Sequence, residues 1–199
     1  MAVKRILEPE VMDTERDAVE YDTMDFAEVN QAFAQRALEL APRSGLVIDV
    51  GTGTARIPLL MLQTGKFDLR VHALDLSGEM LRVGRRNIEL TRLTDRIKLH
   101  LADAKDLPFF NGEFDMGISN SLAHHLPDPA MFFMEIARVV KSGGAVFLRD
   151  LLRPATVSEV NRIVNTYAAG ADEHQRKLYR DSLYASLTLE EVERYVGQA

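Results

Sequence analysis

The stretch Leu46-Val47-Ile48-Asp49-Val50-Gly51-Thr52-Gly53-Thr54-Ala55 decides the fold of this chain. Its apolar first half predicts a strand that ends at Val50, and the two glycines that follow leave the backbone open to a ligand because they have no side chain. A helix predicted to begin at Ala55 points its free N–H groups toward the same place. A second apolar run ends at Asp75, so a glycine loop is followed by a strand-end acid. This combination is typical of a nucleoside-binding α/β domain.

The composition indicates an ordinary globular protein. The chain has 199 residues, enough for one domain with a sizeable core, and 46% of them are hydrophobic against 27% charged. The net charge of −6 weighs against a general nucleic-acid binder, because such proteins usually carry a basic surplus. The lack of cysteine excludes disulfides, thiolate metal sites and a thiol nucleophile.

Neither a membrane span nor a secretory signal is predicted. No apolar run approaches the roughly 18 residues that a membrane span requires. Residues 1–9 include two basic side chains but lack the apolar segment of a signal peptide. We therefore expect a cytoplasmic protein with no membrane partner.

One domain covering residues 1–199 is predicted, in three parts. Residues 1–44 are expected to be helical, with Asp25 as a helix cap, residues 45–152 form the core, and residues 153–199 are helical. The predicted strands are 46–50, 69–75, 97–101, 114–120 and 145–151. The predicted helices after the first part are 55–64, 78–91, 129–140, 156–168, 172–184 and 188–196.

Strands and helices alternate through the core, which predicts a parallel, doubly wound α/β sheet. Ser77 is the predicted N-cap of the helix over 78–91. Residues 104–113 contain a proline and an Asn-Gly pair and are expected to form a loop. The sequence Ser142-Gly143-Gly144 is expected to end the helix that begins at Pro129, before the fifth strand.

The glycine loop does not match a dinucleotide or P-loop site. The third glycine of a dinucleotide loop is replaced by Arg56, whose long side chain we expect to obstruct close packing and crowd a pyrophosphate. No Gly-Lys-Ser/Thr follows, so a P-loop is also absent. The remaining pattern, Asp-x-Gly-x-Gly-x-Ala, places Asp49 where it favours an ammonium or sulfonium cation. S-adenosylmethionine carries both cations and no phosphate.

Four stretches extend this pattern to a family. They are residues 47–55, 73–81, 102–109 and 114–120, each at the carboxyl end of a predicted strand, where open α/β sheets bind ligands. In this order the chain resembles the class I S-adenosylmethionine-dependent methyltransferases over about residues 20–152. It is most similar to the type 11 small-molecule group that includes ubiquinone and menaquinone biosynthesis enzymes.

The resemblance implies a Rossmann-like, mostly parallel sheet of about five strands in the order 3-2-1-4-5. It also implies an enzyme that binds S-adenosyl-L-methionine, transfers its methyl group to a small-molecule acceptor and releases S-adenosyl-L-homocysteine. The implied cofactor-binding residues are Asp49, Gly51, Thr52, Gly53, Asp75, Leu76, Met80, Asp103, Ala104, Asn120, Tyr21 and Met24.

Within that set, Gly51 and Gly53 let the methionine end approach the backbone, and the Asp75 oxygens can accept both ribose hydroxyls. Leu76 and Met80 are expected to flank the adenine, whose polar edge meets Asp103 and the Ala104 N–H. Asn120 is expected under the methionine moiety, with Tyr21 and Met24 closing over the cofactor.

Simpler interpretations of the carboxylates remain open. A strand-end carboxylate such as Asp49 or Asp75 can instead cap a helix. Asp103 can instead stabilise an ordinary turn, since Asp-Ala after a strand is common turn chemistry.

His124 and His125 follow the fourth strand and are the candidate catalytic residues. Methyl transfer needs a base only for a neutral hydroxyl or a protonated amine, and positioning supplies much of the catalysis. Adjacent side chains point in different directions, so we expect at most one of the pair to face a substrate. His125 is our hypothesis for a base, with pocket lining or hydrogen bonding as the alternative. No metal site is predicted, because the sequence offers no evident third ligand.

Similar enzymes continue past the fifth strand with a helix and an antiparallel hairpin. This sequence ends at Ala199, where that hairpin would begin, so it is either naturally short or a fragment. The fifth strand then becomes an uncovered sheet edge. We therefore expect a homodimer that uses this edge or the helices of 156–196.

Three functions compete. The first is methyl transfer to a small molecule. The second is S-adenosylmethionine binding without transfer, in a regulatory or assembly role, which the absent hairpin supports. The third is a nicotinamide-dependent oxidoreductase, which Arg56 and Asp49 disfavour.

Overall fold

The structure is a computed structural model that describes residues 3–8, 14–23 and 26–199, the side chain of Asp17 excepted. The helices are α1 (Glu15–Thr23), α2 (Ala27–Leu40), α3 (Arg56–Gln63), α4 (Gly78–Thr91), α5 (Ala130–Val139), α6 (Val157–Tyr167), α7 (Glu173–Ala185) and α8 (Leu189–Val196). The strands are β1 (Ser44–Val50), β2 (Asp68–Asp75), β3 (Ile97–Leu101), β4 (Phe114–Asn120) and β5 (Val140–Arg149).

The predicted fold class is confirmed. The five strands form one sheet in the order β3-β2-β1-β4-β5, and every pair is parallel. The order reverses direction between the neighbouring strands β1 and β4, and this is where open α/β sheets form a ligand crevice. In the described part of the chain no antiparallel hairpin joins the sheet.

Helices cover both faces of the sheet at its central strand, which explains the apolar run Leu46-Val47-Ile48 in β1. Consecutive side chains of β1 point to opposite faces, so Val47 packs with Phe33 of α2, whereas Ile48 packs with Phe132 of α5. All four side chains are at most 1% exposed. This double-sided burial fixes β1 and presents its carboxyl end at the crevice.

The first part of the chain differs from the prediction. Residues 3–8 are not helical and form an extended N-terminal strap, in which the Val3 N–H donates to the Ala155 carbonyl and the Ile6 N–H to the Tyr184 carbonyl. Two helices, α1 and α2, follow in the part that was expected to be helical, and the predicted cap Asp25 lies outside the described residues.

β5 begins at Val140 rather than at residue 145, directly after α5. The predicted terminator Ser142-Gly143-Gly144 therefore lies inside the strand, where the pairing with β4 shifts register. Gly143 has φ of 79°, and a Cβ on Gly144 would lie 2.8 Å from the Asp115 carbonyl oxygen. The glycines serve a bulge that brings two backbones close together, which is a common use of glycine in strands.

The last three helices begin within a residue of where they were predicted. Thr156, Asp172 and Thr188 are their N-caps, and each side chain accepts a hydrogen bond from a backbone N–H of the first turn. Among the described residues no helix combines the length and apolar character needed to cross a bilayer.

The bulge gives a stability prediction. Gly144→Ala should destabilise the protein by about 1–3 kcal/mol, because the added methyl meets backbone oxygens that cannot rotate away. Urea unfolding measures this, with Gly170→Ala as the matched control, since a Cβ there meets nothing within 4 Å. Equal stability of the two variants would contradict the close approach of β5 to β4.

Candidate functional site

A tight turn follows β1 and forms the floor of the crevice. The Gly51 and Thr52 N–H groups both donate to the Leu74 carbonyl, at 2.9 and 2.8 Å, so the turn is bonded to the end of β2. Gly51 and Gly53 have φ of 75° and 55°, a left-handed conformation that favours glycine. A Cβ on Gly51 would lie 3.0 Å from the side chain of Leu122. Because Gly51 and Gly53 have no side chains, the backbone of the turn stays exposed at these two residues.

Asp75 joins the turn to the start of α4. Its Oδ2 accepts from the Gly53 N–H at 2.8 Å, and its Oδ1 accepts from the Ser77 N–H at 2.9 Å. Ser77 in turn caps α4, as predicted, by accepting from the Met80 N–H. Burial raises the pKa of the Asp75 carboxyl, and the backbone hydrogen bonds oppose that shift. Each oxygen retains a lone pair for a further donor.

Asp49 is a buried carboxylate with little compensation. It is 1% exposed, and its Oδ2 has no hydrogen-bond partner. Burial raises the pKa of the Asp49 carboxyl to about 7, with a smaller contribution from the Asp75 charge. The nearby Thr52 side chain opposes this rise in pKa, although its hydroxyl has no hydrogen-bond partner in the structure. A buried carboxylate without a partner is the environment that a cationic ligand group satisfies best.

Tyr21 of α1 lies beside the turn, next to Gly53. A Cβ on Gly53 would be 3.5 Å from its Cε1, and the ring packs with the buried side chain of Met80. Burial raises the pKa of the Tyr21 hydroxyl, and the charges of Asp75 and Asp49 raise it further. Tyr21 therefore faces both carboxylates of the turn. Met24, its predicted companion, lies outside the described residues.

A polar cluster that the sequence did not reveal holds α1 in this place. Asp22 accepts from Arg56 at 2.8 and 2.7 Å and from the Asn87 side chain at 3.0 Å. Asn87 also donates to the Thr54 carbonyl in the turn. Burial alone would raise the pKa of Asp22, but hydrogen bonds from Arg56 and its neighbours outweigh burial and lower it.

The same cluster corrects our interpretation of Arg56. Its side chain extends to Asp22 and does not lie across the glycine turn, so it neither blocks packing nor fills the ligand path. Close packing is provided instead by Gly84 of α4, where a Cβ would lie 3.3 Å from the Thr54 backbone. Asp22 neutralises the positive charge of Arg56, so Arg56 does not attract an anionic ligand to the turn.

The remaining predicted cofactor residues differ in their exposure and in their hydrogen bonds. Leu76 is 41% exposed, whereas Met80 is buried under α1 at 5%. The Asp103 Oδ1 accepts from the Lys105 N–H at 2.8 Å, so the turn role that we left open for Asp103 is observed. Ala104 is buried beside it. The Lys105 ammonium also pairs with this Oδ1, at 3.1 Å, so Oδ2 is the oxygen of Asp103 that could accept from a ligand.

Asn120 lies at the end of β4, but its side chain is already engaged. Its Oδ1 accepts from Arg149 Nε at 2.9 Å. The Arg149 guanidinium also lies 5.0 Å from the centre of the Phe33 ring and donates to the Val29 carbonyl. Arg149 therefore joins β5, α2 and the predicted cofactor residue, a role that the sequence did not suggest.

The two histidines lie in a pocket that the strap completes. His124 is 4% exposed, and its Nδ1 is hydrogen-bonded to Asp150 Oδ1. His125 is less buried, and its Nδ1 lies 3.0 Å from Glu8 Oε1. The expectation that no third ligand is available is wrong, because Glu8 brings a carboxylate to both rings. Glu8 lies far away in sequence, so no spacing rule could have found it.

Fold and turn together define a nucleoside-binding α/β domain with two acids at its glycine loop. A profile of the methyltransferase domain family of type 11 matches residues 48–148, which include the end of β1, the turn and Asp75. The chain belongs to this family, and its resemblance to the class I S-adenosylmethionine-dependent methyltransferases is confirmed.

The chain is 28% identical over 125 residues to a ubiquinone/menaquinone biosynthesis C-methyltransferase of Geotalea daltonii, covering 63% of this chain and 53% of the relative. It spans about half the length of the curated relatives that it matches first.

Two solved structures share the fold. A Methanococcus maripaludis protein assigned to the S-adenosylmethionine-dependent methyltransferases has a TM-score of 0.71 at 23% identity, covering 97% of this chain and 86% of that one. A phosphoethanolamine N-methyltransferase of Haemonchus contortus, in complex with phosphomonomethylethanolamine and S-adenosylhomocysteine, has a TM-score of 0.69 at 22% identity, covering 93% and 41%.

Asp49 gives a pH prediction for the ligand-free chain. In the unfolded chain its carboxyl ionises near pH 4, at about the usual pKa, whereas the folded chain retains the proton to about pH 7. Its burial therefore costs stability progressively as pH rises from about 4 to 7, and fully above that range. Asp49→Asn removes the titration, so the variant should gain at most about 4 kcal/mol relative to wild type over this window.

Urea unfolding at a series of pH values measures the difference between Asp49→Asn and wild type. Asp68→Asn, which removes an exposed carboxylate from the sheet, serves as the control. A difference between Asp49→Asn and wild type that is the same at every pH would contradict the prediction for Asp49.

Proposed function

We propose that the chain binds S-adenosylmethionine at the Gly51–Gly53 turn and catalyses transfer of its methyl group to a small-molecule acceptor. The observation that carries this is the sign of the charge at the turn. Asp49 and Asp75 lie there, while the neighbouring cation Arg56 is neutralised by Asp22. Such a turn repels a pyrophosphate and favours an ammonium or sulfonium group.

The residues present fit this cofactor. The unpartnered Asp49 Oδ2 is a buried acceptor that a positive group would satisfy. The Asp75 carboxylate is fixed by two backbone donors and still has lone pairs for ribose hydroxyls. Leu76 and Met80 are proposed to flank the adenine, with Asp103 and Ala104 at its polar edge. Asn120 is proposed to lie beside the methionine moiety.

The chain's own contribution to the reaction is mainly positioning. S-adenosylmethionine, when bound, supplies a methyl group on a sulfonium, which is a good leaving group. Tyr21 lies beside the turn and limits its contact with water, and the Asp22–Arg56 ion pair keeps α1 in that position. Fixing donor and acceptor in line is worth several orders of magnitude in rate without any chemical group acting on the acceptor.

A base is required only for an acceptor that must lose a proton first. His125 remains our hypothesis for that role, because its ring is less buried than that of His124 and a carboxylate lies on its Nδ1. His124 has its Nδ1 committed to Asp150, which suits a structural role better. Both assignments as catalytic residues are proposals.

Cofactor binding can be tested directly. The chain should bind S-adenosylmethionine and S-adenosylhomocysteine in calorimetry, and Asp75→Asn should weaken binding by about 10–100-fold, the equivalent of one or two hydrogen bonds to a charged group. Asp106→Asn, an exposed acid a few residues beyond Asp103, is the control and should bind as wild type does. Tight NADH binding with none of S-adenosylmethionine would instead favour an oxidoreductase.

Methyl transfer is tested separately from binding. A screen of quinone, amine and hydroxyl acceptors with radiolabelled cofactor should give labelled product and S-adenosylhomocysteine. His125→Ala should lower kcat by about 10²–10⁴-fold for a hydroxyl acceptor if the ring is a base, with little change in KM. Binding without transfer to any acceptor would favour the alternative of a regulatory or assembly protein.

We also propose a homodimer. β5 is at the edge of the sheet, and its Val146 is 42% exposed, so the outer edge is open for pairing. Sedimentation velocity over a wide concentration range should show a dimer, and a monomer at every concentration would refute it. The cytoplasmic location and the three-part division of a single domain stay predictions from the sequence.

A further inference from the structure

We infer that Glu8, His124 and His125 form a binding site for one divalent metal ion of the zinc class. One carboxylate oxygen and one nitrogen from each imidazole lie within 4.8 Å of one another. Glu8 Oε1 is 3.0 Å from His125 Nδ1 and 3.5 Å from His124 Nε2. This cluster, named here the Glu-His-His site, is separate from the acids of the glycine turn.

The spacing and the donor set fit zinc. Bonds of about 2.0–2.2 Å in a tetrahedral site place neighbouring ligand atoms about 3.3 Å apart. The two separations that involve Glu8 lie on either side of that value, so a metal can enter with small side-chain movements. Two imidazoles and one carboxylate suit zinc and its neighbours in the first transition row. Magnesium and calcium prefer sites in which all ligands are oxygen atoms. Three protein ligands leave a further position open to water.

The orientation of His124 supports a cation at this point. Its Nδ1 is hydrogen-bonded to Asp150 Oδ1, and Asp150 Oδ2 also accepts from the His124 backbone N–H. In the neutral tautomer that donates its Nδ1–H to Asp150, the other nitrogen, Nε2, carries a lone pair on the side of Glu8. Two acceptors, Nε2 and Oε1, then face each other in a buried place. A bound metal satisfies both, and a carboxylate behind the histidine is the usual outer partner of such a ligand.

The strap is held in place by contacts that do not involve the histidine rings. Arg5 donates to the carbonyls of Leu126 and Ala185, both at 2.7 Å. The Ile6 N–H bonds to α7, and the Ser182 hydroxyl donates to Glu8 Oε2 at 3.2 Å. Glu8 is therefore presented to the histidines by the fold itself. A preformed site costs less to fill than one that must be assembled by the ion.

The Glu-His-His site goes beyond the proposed methyl transfer and does not depend on it. It also competes with one detail of that proposal, because an imidazole bound to a metal through Nδ1 has only an N–H at its other nitrogen and is no longer a base. The simpler interpretation of the same contacts is a hydrogen-bonded network in which Glu8 accepts from protonated rings. Metal uptake separates the two.

The test uses the full chain without an affinity tag, freed of metal with a chelator, and zinc chloride as the probe. Calorimetry should show one zinc per chain, and cobalt chloride in its place should give the visible absorption bands of a site with nitrogen and oxygen ligands. Glu8→Gln and His125→Gln should each weaken zinc binding by more than about 100-fold, beyond the 10–100-fold expected for loss of the outer partner in Asp150→Asn. His174→Gln removes a histidine of α7 outside the site and should bind as wild type does.

Thermal unfolding checks that the result does not come from a misfolded variant. Zinc should raise the Tm of wild type and His174→Gln, because a ligand stabilises the state that binds it, but should leave the Tm of Glu8→Gln unchanged. Absence of one-to-one uptake by wild type, or uptake by Glu8→Gln equal to that of wild type, would overturn the inference. None of these measurements contains cofactor or acceptor, so their failure would leave the methyltransferase proposal intact.

Discussion

The two hydrogen bonds that the Asp75 carboxylate accepts connect the parts of the crevice. One comes from Gly53 in the turn after β1, and the other from Ser77 at the start of α4. Asp75 itself ends β2, so one side chain fixes the relative positions of two strand ends and a helix. Such a carboxylate also places a negative charge where the turn exposes its backbone. Structure and ligand preference therefore depend on the same atoms.

Electrostatics then distinguishes this turn from glycine loops that bind phosphates. Those loops present N–H groups or cations to an anion. Here the Asp49 Oδ2 is buried without a hydrogen-bond partner, and burial raises the pKa of this carboxyl to about 7. Arg56 is the nearby cation, but it is paired with Asp22 of α1. The ion pair thus keeps Tyr21 beside the turn and leaves the acids available to a positively charged ligand.

The sequence predicted what depends on local pattern, such as strand ends from apolar runs and the start of α4 from its capping residue Ser77. It failed where distant segments meet. The Asp22–Arg56 pair spans 34 positions, and Glu8 reaches histidines more than a hundred residues away, with no periodicity to reveal either contact. Gly144 was misread for a related reason, because a glycine that ends a helix and one in a bulge look alike until the neighbouring strand is known.

The most direct test of this account is a crystal structure of the chain grown with S-adenosylhomocysteine. The account predicts density along the Gly51–Gly53 backbone, with the ribose hydroxyls on the Asp75 carboxylate and the amino group near Asp49. Density elsewhere, or an empty turn at a concentration that saturates binding in solution, would contradict the assignment of this turn as the cofactor site.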